Sequence, residues 1–102
     1  MTIKFVTVGT TTVQVIAKST KGELCDFFIQ NLSANDVYLV DSDQATIAQG
    51  IKLSPGAAYS CEGSDENLWL IASAASSDVR VRWFFYPDWR KALVNLHAVV
   101  RV

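Results

Sequence analysis

The sequence has few of the residues that build catalytic and metal sites. His97 is the only histidine, so one chain cannot supply a metal site with two histidine ligands. A Cys–His nucleophilic pair would have to join Cys25 or Cys61 to that distant residue, and no local signature of such a pair occurs. Glycine-rich phosphate-binding loops are also missing. We therefore expect a protein that is not an enzyme, with no catalytic residues, no metal ligands and no cofactor.

Long apolar runs and runs of one charge are missing as well. No stretch approaches the ~20 apolar residues of a membrane-spanning helix. Nine basic and ten acidic residues give a formal net charge of −1 and are spread along the chain, without the basic footprint that nucleic-acid binding requires. We expect neither a membrane nor a nucleic acid as partner.

The two cysteines, Cys25 and Cys61, leave two alternatives. A disulfide between them would contribute ~3–4 kcal/mol in the chain-entropy model. The first residues lack a basic region followed by the apolar run of about 7–15 residues that marks a secretory signal. This favours a reducing compartment and free thiols.

Three carboxylates, Asp36, Asp41 and Asp43, crowd one region of the sequence. Carboxylates in a loop bind calcium in some proteins, but the EF-hand spacing with its glycine and closing glutamate is missing. Side chains of this type also bond their own backbone in turns, and this is the reading that the spacing favours.

Short β-strands separated by turn residues account for most of the chain. Residues 79–83 alternate most clearly: Val79, Val81 and Trp83 are predicted to face the core, and Arg80 and Arg82 to face water or a partner. The second run, residues 11–18, is predicted to place its valines and an alanine on one side, and residues 68–72 are apolar enough for a strand covered on both faces.

Turn chemistry marks where these strands reverse. Ser33 to Asp36 carries short polar side chains that bond their own backbone, and Pro55-Gly56 predicts a tight reversal. Thr46-Ile47 is predicted as a short edge strand. The pattern gives eight or nine strands in one domain spanning residues 1–102. We expect an all-β fold, either an antiparallel β-sandwich of jelly-roll type or a small barrel.

The C-terminal fifth of the chain is predicted to make contacts. Half of all residues are hydrophobic and only 19% are charged, which favours burial against copies of the chain or a partner. Tyr86 and Trp89 flank Pro87, where we expect surface positions. At most one helical turn is predicted near residues 88–91, followed by a valine-rich strand to the C terminus, which pairs either within its own chain or with a neighbour's edge.

Five blocks of sequence, in this order, resemble a recurring type of small structural protein of tailed bacteriophages. They are Phe27-Phe28-Ile29-Gln30-Asn31, Val37-Tyr38-Leu39, Gly50-Ile51-Lys52-Leu53 with Pro55-Gly56, Leu68-Trp69-Leu70-Ile71-Ala72 and Asp78-Val79-Arg80-Val81. Members of that type carry LLIQN, VYLG, GIKL-x-PG, a YAIA-like block and DVRV. Val40 stands here where those proteins often have a glycine after VYL, and residues 83–102 extend beyond the similar part.

The resemblance implies a β-sandwich virion protein of the capsid decoration or cement type, and supplies no catalytic residues. On this reading the protein is made in the bacterial host cytoplasm and binds the major capsid protein on the capsid exterior as a homo-oligomer, either a dimer or a trimer. The predicted partner-binding residues are Arg82, Tyr86, Trp89, Arg90 and Val100. The alternative is a carbohydrate- or receptor-binding module of a phage fibre or tail, with Trp89 and Tyr86 as stacking platforms.

Overall fold

Eight β-strands form most of the chain in the computed structural model, which describes residues 2–88. The strands are β1 (Thr2–Val8), β2 (Val13–Ile16), β3 (Leu24–Asn31), β4 (Val37–Val40), β5 (Ile51–Leu53), β6 (Ala58–Ser64), β7 (Leu68–Ala72) and β8 (Ser77–Tyr86). A single 3₁₀ turn, Ile47–Gln49, is the only helical element in residues 2–88. The all-β class is confirmed, and residues 2–88 contain eight strands. The helical turn predicted near residues 88–91 lies almost entirely outside the described residues, and the valine-rich strand predicted after it lies wholly outside them.

The strands form two four-stranded antiparallel sheets, one in the order β1-β8-β3-β6 and the other in the order β2-β7-β4-β5. The strand pairs β1/β8 and β3/β6 lie in the first sheet, and β2/β7 and β4/β5 lie in the second. Both sheets have open edges. The sandwich is therefore confirmed, and the alternative of a closed barrel is wrong.

The core lies between the sheets and is built from alternate residues of each strand. Ile29, Leu70, Val79 and Val81 have no exposed surface. The alternation predicted for β8 is confirmed, because its valines are buried, Trp83 is half-buried against the core, and the intervening arginines point outward. Burying side chains of this size contributes about 1.5–3 kcal/mol each, so this row is a main source of stability.

Strand β7 is covered on both faces, as its apolar sequence predicts. Leu70 faces the core, and Ile71 on the opposite face is also buried. Ile71 lies beside Ala45 and Ile47 at a surface cavity, so the loop before β5 covers this face.

Two local predictions are wrong. A bulge between Gln14 and Ile16 interrupts the β2–β7 pairing, so Val15 and Ile16 are both buried and Ala17 is exposed. A bulge places successive residues on one side, which simple alternation misses. Thr46-Ile47 begins the 3₁₀ turn instead of a strand.

A capping arrangement explains that turn. The Gln49 side chain accepts a hydrogen bond from the Thr46 backbone N–H at 2.8 Å, and the Gln49 N–H donates to the Thr46 carbonyl at 3.0 Å. These bonds close a turn in place of a strand ladder.

Asn31, at the end of β3, has no exposed surface and joins the two sheets. Its Nδ2 donates to the carbonyls of Asn35 and Leu53 at 2.7 and 2.9 Å, and its Oδ1 accepts from the N–H and Oγ of Ser33 at 3.0 and 2.7 Å. Asn35 Nδ2 then reaches the buried Ser77 Oγ at 3.1 Å. The predicted turn chemistry is confirmed, and this polar cluster fixes the β3–β4 turn against β5 and β8.

The reversal at Pro55-Gly56 is also confirmed. Gly56 has φ +80°, and the Ala57 N–H donates to the Ser54 carbonyl at 2.9 Å, as in a type II turn.

Gly50, just before β5, is required for a different reason, which is space. A Cβ there would lie 2.8 Å from Tyr38 Cβ and 2.9 Å from both the Leu39 carbonyl oxygen and Val40 Cγ1. The absence of a side chain lets the chain approach β4 closely.

Candidate functional site

The outer face of the β1-β8-β3-β6 sheet presents large apolar and arginine side chains, and we call it the aromatic–arginine face. It consists of Ile3, Phe5, Phe28, Arg80, Arg82 and Phe84. Phe5 is 72% exposed, Ile3 62%, Phe84 42% and Phe28 36%. Exposed aromatic side chains concentrated on one sheet face are typical of protein contact surfaces.

Strand register brings these residues together from both ends of the sequence. Ile3 on β1 lies opposite Arg82 on β8, which lies opposite Phe28 on β3. In the next outward row, Phe5 lies opposite Arg80. Side chains directly opposite each other on one face of an antiparallel pair are within contact distance.

Both arginines stack on aromatic rings of this face. The Arg80 guanidinium carbon lies 4.2 Å from the centroid of Phe5, and that of Arg82 lies 5.7 Å from the centroid of Phe28. Arg80 also forms an ion pair with Asp78. Stacking on Phe28 orients the Arg82 guanidinium, which is able to receive a partner's carboxylate in the bidentate geometry that arginine favours.

Tyr86 closes one end of the face through a hydrogen-bonded anchor. Its hydroxyl donates to Asp26 Oδ1 at 2.7 Å, and the same oxygen accepts the N–H of Gly63 at 2.9 Å. The bond to the Asp26 carboxylate raises the pKa of the Tyr86 phenol. The Tyr86 ring lies 5.7 Å from that of Phe84. Phe84, beside the Tyr86 ring, lines a depression of about 80 Å³ together with Phe28 and Arg82.

The structure places two of the five predicted partner-binding residues, Arg82 and Tyr86, on this one face. Trp89, Arg90 and Val100 lie outside the described residues, as does His97.

Sequence reasoning missed the contribution of the N-terminal half to this surface. The signal was present in β1, where Ile3 and Phe5 lie at odd positions on one side of the strand while the buried Val6 and Val8 lie at even positions on the other. An edge strand apolar on both faces indicates a second covered surface.

The two cysteines are free thiols, as expected. Burial, with a smaller contribution from the Asp26 carboxylate, raises the pKa of Cys25 to about 11. Burial first, and then Asp26 and the glutamates at 62 and 66, raise the pKa of Cys61. Because the thiolate is the nucleophile, neither residue is activated at neutral pH.

The raised Cys25 pKa predicts a pH dependence of stability. A thiol whose pKa is about 9 in the unfolded chain and about 11 in the folded protein favours folding below pH 9, and this contribution is lost as the pH rises toward 11. We expect the free energy of unfolding to fall over that range by on the order of 2 kcal/mol more in the wild type than in Cys25→Ala. Urea unfolding at stepped pH measures the difference, and parallel curves for the two proteins would contradict it.

The acidic residues do not form a metal site in the described part of the chain. Asp36 pairs with Lys52 at 3.6 Å, and Asp41 and Asp43 border different cavities. No group of three or more histidine, cysteine or acidic side chains is placed to hold a metal ion in residues 2–88. Within the same residues, no helix has the length and hydrophobicity to cross a membrane.

No protein-family model, curated protein or solved structure matches this chain.

Proposed function

We propose that the protein is a non-enzymatic structural component of a bacteriophage virion, a capsid decoration or cement protein that binds the major capsid protein through its aromatic–arginine face. The observation that carries the proposal is this face, with four exposed large apolar side chains and two ring-stacked arginines on one sheet. Aromatic and arginine side chains are enriched at the energetic centres of protein interfaces.

We also propose that the sandwich is a jelly roll. The alternating strand pairs β1/β8, β2/β7, β3/β6 and β4/β5 support this, because a jelly roll is an eight-stranded double sheet built from two Greek keys. Viral capsid proteins commonly use this architecture. The fold alone does not assign function, so the argument depends on the surface.

The face, and not the sheet edge, is the proposed contact. Strand β1 is an open edge, but the exposed Lys4 occupies the row of the buried Val81. An inward-directed charge on an edge strand opposes pairing with a further strand. A flat contact on the outer face avoids this obstacle.

The resemblance to small tailed-phage structural proteins supports the choice of partner. Its blocks include residues with specific structural tasks, namely Asn31 in the buried cluster, Gly50 against β4 and Gly56 in the turn. Similar blocks in the same order are expected where the same sandwich is built. Multiple copies on symmetry-related capsid sites, as dimers or trimers, would raise avidity without tight individual contacts.

We expect Phe28→Ala and Arg82→Ala each to weaken binding to expanded capsids by about tenfold or more, because each removes one member of a stacked pair at the centre of the face. Co-sedimentation with purified capsids over a range of protein concentration measures the change. Ile47→Ala is the matched control, since Ile47 is 43% exposed on the loop covering the other sheet.

Full occupancy by the Phe28→Ala/Arg82→Ala double variant would overturn the proposed contact. Sedimentation velocity of the same variants without capsids separates the two possible uses of the face: loss of oligomers points to subunit contacts, and unchanged oligomers with lost capsid binding point to the capsid. Trp89→Ala and Arg90→Ala in the same assay test two of the three predicted contacts that lie outside the described residues.

A further inference from the structure

A second concave surface lies on the opposite side of the molecule from β1, where β5 and β6 form neighbouring edges of the two sheets. The cleft there has a volume of about 280 Å³. That is close to the lower end of the range for small-ligand pockets, about 300 Å³. At about 30 Å³ per water molecule the cleft has room for roughly nine waters, which suits a ligand of one or two small rings.

The floor of the cleft is apolar and its rim is polar. Phe27, Leu39 and Leu68 are core residues that form the floor. Tyr59, half-buried on β6, provides a ring beside them, with its centroid 6.2 Å from that of Phe27. An apolar base with a few polar groups around it is the usual composition of a small-molecule site.

The polar groups of the rim have unused hydrogen-bonding capacity. The Asp41 and Glu66 carboxylates and the Tyr59 hydroxyl make no hydrogen bond within residues 2–88. Gln49 and Asn67 use their side-chain oxygens to accept backbone N–H groups, which leaves their NH₂ groups available as donors. The rim therefore offers both strong acceptors and donors around one aromatic ring.

The charge of the rim limits the ligand class. Two carboxylates and no lysine, arginine or histidine line the cleft, so a phosphate or carboxylate ligand would be repelled. Glu66 also contributes to raising the pKa of the Cys61 thiol, which lies in the same cleft. A simple cation would use the carboxylates but leave the amide donors unused.

We propose that this cleft binds a neutral saccharide of one or two pyranose rings, with Tyr59 against a ring face and Asp41, Glu66, Gln49 and Asn67 on its hydroxyls. Each sugar hydroxyl both donates and accepts, which matches a rim that combines carboxylates with amide donors. The site is separate from the aromatic–arginine face and does not depend on the capsid proposal.

The test is a titration of the ¹⁵N-labelled full chain with a panel of neutral sugars, namely glucose, galactose, mannose, N-acetylglucosamine, rhamnose and their simple disaccharides, followed by two-dimensional NMR. We expect saturable shifts for at least one sugar, centred on the amides of residues 39–41, 59–61 and 66–68. Glu66→Gln should weaken the binding of that sugar by about tenfold, since hydrogen bonds to charged groups are stronger than those to neutral groups. The matched control is Glu62→Gln, which makes the same change on an exposed residue of β6 outside the cleft.

A second readout uses Cys61, whose thiol borders the cleft while Cys25 is buried. A bound sugar should slow native-state alkylation of Cys61 by iodoacetamide, and Glu66→Gln should reduce this protection. The proposal is overturned if no sugar gives saturable shifts, or if Glu66→Gln and Glu62→Gln bind the sugar equally well. It is also overturned if n-butylammonium, and none of the sugars, shifts the amides of the cleft. Capsid binding by Glu66→Gln should equal that of the wild type, so the two proposals fail independently.

Discussion

Replacing Asn31 by aspartate should destabilise the protein by about 3–5 kcal/mol at pH 7, the scale for an uncompensated buried charge. The wild-type amide makes four hydrogen bonds at a position without exposed surface. A carboxylate cannot donate to the Asn35 and Leu53 carbonyls, so it faces both oxygens as a repelled anion and leaves them unpaired. Domains of this size have total stabilities of about 5–15 kcal/mol, so the loss is a large part of the whole.

The same change should make stability depend on pH. Burial raises the pKa of the introduced carboxyl above its value in the unfolded chain. The folded state of the variant is therefore favoured at low pH, and its stability is lost as the pH rises through the folded-state pKa. Urea unfolding should therefore show a smaller difference in the free energy of unfolding between Asn31→Asp and the wild type at pH 4 than at pH 7.

The matched control is Gln30→Glu, which makes the same amide-to-acid change one residue earlier, on the outward side of β3. It should cost less than about 1 kcal/mol at pH 7. Equal losses in the two variants would show that charge near β3, and not the buried hydrogen-bond cluster, determines the effect. Asn31→Ala provides a further comparison. It should destabilise the protein by about 2–4 kcal/mol, because it leaves the two backbone carbonyls without a donor.

Substitution of Gly50 by alanine should cost about 1–3 kcal/mol, as is usual for overpacking in a close contact. The added Cβ would lie 2.8–2.9 Å from atoms of Tyr38, Leu39 and Val40, and one of these atoms is a backbone carbonyl oxygen that cannot rotate away. Relief requires β5 to move from β4, which would weaken their short pairing.

Gly9→Ala is the control for this substitution, because no atom lies within 4 Å of a Cβ built there. Thermal or urea unfolding should place it within about 0.5 kcal/mol of wild type. If Gly50→Ala were as stable as Gly9→Ala, the close approach of β5 to β4 would not be a requirement of the fold.

Local sequence patterns predict much of this fold because they report which backbone conformations are accessible. The alternation in residues 79–83 locates a half-buried strand, and Pro55-Gly56 locates a reversal whose φ angles those residues favour. The bulge at residues 14–16 escapes such reasoning, since it depends on pairing with β7 and not on the run itself. The capped 3₁₀ turn at residues 47–49 is missed for a similar reason. Thr46 and the three residues after it are of mixed character, and such a short segment is compatible with either a strand or a turn.

The candidate sites depend on distances that no local pattern contains. Arg82 stands out in the sequence through the alternation of residues 79–83, and Tyr86 through its place beside Pro87. The ring under Arg82, however, belongs to Phe28, which is far from it along the chain. Only the order β1-β8-β3 and its register place an N-terminal phenylalanine under Arg80 and a central one under Arg82. The cleft beside Tyr59 likewise collects residues from β3, β4, β6 and the loops before β5 and β7.

The sequence by itself determined that this chain builds short antiparallel strands with apolar inner faces, since strand period and turn chemistry are properties of neighbouring residues. It also determined that metal-site and catalytic motifs are sparse. The tertiary structure decided that the strands form a sandwich of two open sheets and not a closed barrel. It also decided which residues meet on the outer face, and that Asn31 joins the two sheets. Those outcomes depend on strand order and register, and both are set by packing between distant segments of the chain.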